Sequence, residues 1–146
     1  ARVKSIVRHI SMRVVYRCRQ SCFFEYDLMS RELDKLFNES KEFTGHNIKI
    51  ISGMADGADS LAIRYADERK LTKILFPANW KRFSRVAGFL RNEDMLSIAT
   101  HLVVFWDGKS SGTNHMIEIA KAKGIPVWGL KHPCIACFGD FQLERW

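Results

Sequence analysis

The sequence lacks any apolar run long enough to cross a bilayer, which needs about 20 residues in helical form. Its longest runs, such as Leu102 to Trp106, fall far short. No membrane partner is therefore expected. The basic start of the chain is not followed by the apolar stretch and small-residue cleavage site of a secretion signal, so a cytoplasmic location is expected. It has no internal repeat and no low-complexity tract, which argues against a solenoid or a disordered linker. The phosphate-binding signatures G-x-x-x-x-G-K-[ST] and G-x-G-x-x-G are both missing. So is any recognised nucleic-acid motif. No Ser-His-Asp or Cys-His set can be argued from spacing.

What is present is ordinary globular material. The chain has 146 residues, 47% of them hydrophobic and 27% charged, enough for one domain with one sizeable core. A net charge of +7 favours anionic partners such as nucleotides, phosphorylated metabolites or nucleic acid. The basic residues recur as singles and pairs rather than in one run, as a solvated basic surface would.

Cysteine is sparse. Cys18 and Cys22 follow the first expected strand, and Cys134 and Cys137 follow the last. Four thiolates at one sheet edge could hold zinc. The C-x-x-x-C spacing of the first pair is looser than C-x-x-C, and separate reduced thiols are the simpler reading. No metal and no cofactor is expected.

Five apolar, β-branched stretches read as strands: Met12–Tyr16, Asn47–Ile51, Thr72–Phe76, His101–Trp106 and Ile125–Leu130. Helical spacing predicts helices over Glu25–Asn38, Asp59–Lys70, Arg91–Ala99 and Thr113–Lys123, with Gly124 as the stop of the last. Ala78–Leu90 reads as a loop with a short helix. The strands are apolar on both faces, as a covered parallel sheet requires. The expectation is an α/β, doubly wound, mainly parallel five-stranded sheet with helices on both faces. Residues 1–11 read as an N-terminal extension, 12–130 as the domain and 131–146 as a C-terminal tail.

In such a sheet ligands bind beyond the carboxyl ends of the strands. Three loops gather there. Ser52-Gly53-Met54-Ala55-Asp56-Gly57-Ala58-Asp59 joins a strand to a helix, and its glycines permit close backbone approach to a ligand. The helix that follows offers free N–H groups and a positive dipole end to a phosphate. Asp107-Gly108-Lys109-Ser110-Ser111-Gly112-Thr113 repeats the arrangement with hydroxyls and a lysine. Between them, Trp80 could stack on a base and Arg91 could pair with a phosphate. Taken singly, each loop is also an ordinary turn with a helix cap.

The blocks GMADGADSLAIRYA, PANW with AGFLRNEDM, and FWDGKSSGTNHMI with GIPVWGL resemble the SLOG superfamily, in particular its small YspA-type branch, related to LOG and DprA. The resemblance runs from about Met12 to Leu130. It implies a Rossmann-like sheet and a pocket for a nucleotide or nucleotide-derived signal. It also implies possible phage or defence association and a homo-oligomer. Carried over residue by residue, it implies ligand binding by Gly53, Asp56, Gly57 and Asp59, by Asn79, Trp80, Arg91 and Asn92, and by Asp107, Gly108, Ser110, Gly112 and Thr113.

Two departures matter. Similar proteins have a Gly-Ser-Arg turn after the first strand, whereas this chain has Tyr16-Arg17-Cys18-Arg19, in which Arg19 can align. The P-G-G-x-G-T-plus-glutamate pattern of LOG-type phosphoribohydrolases is also absent, and the first acid after Thr113 is Glu118. Catalysis by that arrangement does not carry over. Ligand binding is thus the first expectation. A hydrolase or transferase using Glu118, Asp107, Asp56 or His115 is the second. A nucleic-acid-binding accessory protein is the third.

Overall fold

The computed structural model describes residues 7–15, 25–53, 59–76, 87–106, 111–131 and 142–146. Among the described residues, six strands are β1 (Val7–Val15), β2 (Asn47–Ser52), β3 (Thr72–Leu75), β4 (His101–Trp106), β5 (Val127–Lys131) and β6 (Glu144–Arg145). Four helices among the described residues are α1 (Glu25–Glu39), α2 (Asp59–Glu68), α3 (Ala87–Ile98) and α4 (Ser111–Ala122).

The strands form one sheet in the order β3-β2-β1-β4-β5-β6. The first five run parallel and β6 is antiparallel to β5. The order reverses at β1, which pairs with β2 through Ile10↔Ile50 and with β4 through Ile10↔His101. That reversal defines a doubly wound sheet with its switch point between β1 and β4.

Side chains alternate across the sheet, so each strand feeds two cores. Ile50, Val103, Phe105 and Leu130 face Met29 and Leu33 of α1 and Ala62 and Tyr65 of α2. Ile51, Leu102, Val104 and Val127 face Met95 and Leu96 of α3 and Met116 and Ala120 of α4. His101 to Phe105 are buried throughout, which explains why β4 is apolar without alternation. Burying a side chain such as Phe105 stabilises the fold by about 2–3 kcal/mol.

Three expectations change. Among the described residues the sheet has six strands, not five. The added strand carries only Glu144 and Arg145, too short and too polar for any period to show. Its flanks hold it: Leu143 packs into the α1/α2 core and Trp146 into the α3/α4 core. Secondly, β1 begins at Val7, and Val7 to Ser11 pair with Asn47 to Ile51, so the strand is longer than its apolar stretch. Thirdly, α3 begins at Ala87, four residues before the position expected for it, because Phe89 and Leu90 are exposed and add nothing to a buried stripe.

Gly124 ends α4 as expected, with φ +72°. Its N–H donates to the Lys121 carbonyl at 3.1 Å and the Ile125 N–H to that of Ala120 at 2.9 Å. These bonds satisfy carbonyls that the helix end leaves open.

Candidate functional site

The carboxyl ends of β2 and β4 lead towards the two glycine loops. Gly53 directly follows β2, and its carbonyl accepts a hydrogen bond from Arg91 Nη1 at 3.2 Å. Arg91 is only 5% exposed although it carries a charge. A Cβ at position 53 would lie 2.8 Å from Arg91 Nε, so a larger residue there would have to displace the buried Arg91 side chain.

Asn92, the next residue, reaches the other loop. Its Nδ2 donates to the Gly112 carbonyl at 3.1 Å, in the first turn of α4. The same nitrogen lies 3.4 Å from His115 Nδ1. Asn92 is 1% exposed, and its Oδ1 has no hydrogen-bond partner among the described residues. Neighbouring residues on α3 thus tie the end of β2 to the start of α4. Thr113 is fully buried beneath that first turn.

The structure therefore brings together Gly53, Arg91, Asn92, Gly112 and Thr113 of the residues expected from sequence. Asp59 opens α2, the helix after the first glycine loop. Arg19, Asp56, Gly57, Asn79, Trp80, Asp107, Gly108 and Ser110 lie outside the described residues, as do all four cysteines. Gly112 sits within α4 rather than before it, because the helix starts at Ser111, ahead of the expected Thr113.

His115, already a candidate acid or base from the sequence, joins this group, and the structure adds Phe89, with ring centroids 4.3 Å apart. Position 115 is three beyond Gly112, so the two lie on one side of α4 near its start. Glu118 is exposed and accepts a bond from Asn114 at 3.1 Å.

Among the described residues, two cavities lie elsewhere. One, of about 460 Å³, is at the opposite, amino edge of the sheet and is lined by Phe37, His46, Tyr65 and Arg69 among others. The other, of about 360 Å³, lies between α1 and the C-terminal strand, beside Glu32, Trp128 and Leu143.

Beside the first cavity, charged groups clamp α1 to α2. Arg69 donates to Asp34 through Nε at 3.1 Å and Nη2 at 2.8 Å. Tyr65 donates to the same carboxylate at 2.7 Å, and Tyr26 donates to Glu68. The Arg69 guanidinium holds Asp34 below the usual carboxylate range. Burial, reinforced by the Glu68 carboxylate, pushes the Tyr26 hydroxyl up to about 12.

A sheet of this order, with the end of β2 tied through α3 to the start of α4, defines a doubly wound α/β protein with a candidate ligand edge. The model of the YspA, cpYpsA-related SLOG family matches residues 12–83. The chain is also 33% identical over 88 residues to the Gene 61 protein of Mycobacterium phage D29, a match covering 56% of this chain and 70% of that protein. The chain belongs to the SLOG superfamily. No solved structure matches it significantly. Among the described residues, no helix is long and apolar enough to cross a membrane.

Proposed function

We propose that the chain binds a nucleotide or nucleotide-derived ligand through its phosphates, on the loops after β2 and β4. The observation that carries this reading is the pair of bonds from Arg91 to Gly53 and from Asn92 to Gly112. Two loops that are separate in sequence are thereby held to a common frame. Each leads into a helix N-terminus, where backbone N–H groups and the helix dipole favour an anion. Family membership and the net charge of +7 point the same way. In this reading Gly53 and Gly112 admit the ligand to the backbone, while Arg91 and Asn92 fix the spacing between the loops.

Thermal unfolding against ADP, ATP, ADP-ribose and cyclic nucleotides tests the proposal. A ligand present at a hundred times its Kd stabilises the folded state by roughly 2.7 kcal/mol. At least one nucleotide should raise the Tm of the wild type and leave that of Gly112→Trp unchanged. A panel that shifts neither protein contradicts the proposal. Release of a cleaved product during incubation would move the reading to an enzyme.

A further inference from the structure

His115 sits at the start of α4 between two α3 side chains. Asn92 Nδ2 lies 3.4 Å from its Nδ1, and the Phe89 ring lies 4.3 Å from its ring. The Asn92 amide can face only one way. The Gly112 carbonyl is an acceptor, so the amide must turn its nitrogen towards it at 3.1 Å. An amide nitrogen only donates, so the His115 Nδ1 beside it must accept. The imidazole proton then sits on Nε2, which has no hydrogen-bond partner among the described residues.

We propose that Asn92 is a positioning residue that fixes His115 as an Nε2–H donor to a phosphate oxygen of the bound nucleotide. This rests on the nucleotide reading above. Three features meet at this point. The first turn of α4 presents backbone N–H groups to an anion. His115 adds a side-chain donor whose tautomer is set before the ligand arrives, as a metal-ligating histidine is set by the bond its other nitrogen makes. The third feature is the buried Asn92 Oδ1, an acceptor that lacks a protein donor among the described residues. A buried acceptor left in that state costs about 1–3 kcal/mol. A hydroxyl of the ligand's sugar would satisfy it. A nucleotide offers both a phosphate oxygen and a sugar hydroxyl, so it should bind more tightly than inorganic phosphate.

The test has two readouts. Nitrogen NMR of the imidazole in the free protein reports the tautomer without any ligand. The expected result is a protonated Nε2 in the wild type and a mixture of tautomers in Asn92→Leu. Titration with ADP and with inorganic phosphate reports the ligand role. His115→Gln places an amide nitrogen near the former Nε2 and should bind ADP close to wild type. His115→Asn places its nitrogen near Nδ1 and should bind roughly tenfold more weakly, as loss of one charge-assisted bond implies. If Asn92→Leu fails to fold, the wild-type spectrum and the Gln-against-Asn comparison still decide. A protonated Nδ1 in the free wild type overturns the proposal. Equal ADP affinity in the Gln and Asn variants overturns it while leaving the nucleotide reading intact. A wild type that binds neither probe overturns the ligand role of His115, and the nucleotide reading falls with it where the whole nucleotide panel also leaves Tm unchanged.

Discussion

Lys70 carries a backbone conformation that suits glycine. Its φ is +55°, in the left-handed region. It follows α2, where the Leu71 N–H donates to the Ala66 carbonyl at 2.8 Å and the Lys70 N–H to the Asp67 carbonyl at 3.2 Å. This is the same helix ending that Gly124 provides for α4. A side chain in that region costs roughly 1–2 kcal/mol through its Cβ. Lys70→Gly is therefore expected to stabilise the protein by about 1 kcal/mol, offset in part by the greater freedom of glycine in the unfolded chain. Urea unfolding would show this as a higher midpoint with an unchanged slope. The candidate site shows a different constraint. At Gly53 a Cβ would meet Arg91, so the position is closed to larger residues by contact, not by φ.

At the scale of elements, the clamp between α1 and α2 sets the pH response. Asp34 is held below its ordinary 3.8 by Arg69, so its contribution is complete above that value and is lost as pH falls through the lowered one. Tyr26 is raised from 10.0 to about 12, so its contribution is complete below 10 and is lost as pH rises between those values. Stability measured against pH should fall on both sides of a broad plateau. Asp34→Asn should lower the plateau by about 1 kcal/mol, since the carboxylate is 40% exposed and solvent screens it, and should flatten the acid limb. An acid limb as steep as that of the wild type would contradict this role for Asp34.

The elements were legible where burial imposed a period. β4 has the limits that its apolar run gives, and the start of α1 falls at Glu25 as its spacing gives. The start of α3 was not legible. Its first turn carries exposed Phe89 and Leu90, and its buried Arg91 and Asn92 look polar in sequence. Those two residues are buried because they bond to backbone carbonyls on two other elements. No local pattern encodes such a contact. β6 escaped notice for a similar reason: its strand residues are Glu144 and Arg145, and Arg145 is held by Glu42 at 2.7 Å from far away in the chain.

At the scale of the whole molecule, the two edges of the sheet differ in use. The amino edge carries the charge clamp and a cavity of about 460 Å³ beside Arg69, a guanidinium already engaged by Asp34 and Glu68. At the carboxyl edge Gly53 and Gly112, one from each glycine loop, are tied through α3. The sequence pointed to these loops by their recurrence after strands two and four. It did not show that one dipeptide joins them. The central claim is that a nucleotide binds at this second edge. Backbone amide NMR during a titration with the nucleotide that raises Tm most tests it directly. The account predicts that the largest shifts fall on Gly53, Gly112, Thr113 and His115. Shifts centred instead on His46, Tyr65 and Arg69 would contradict it.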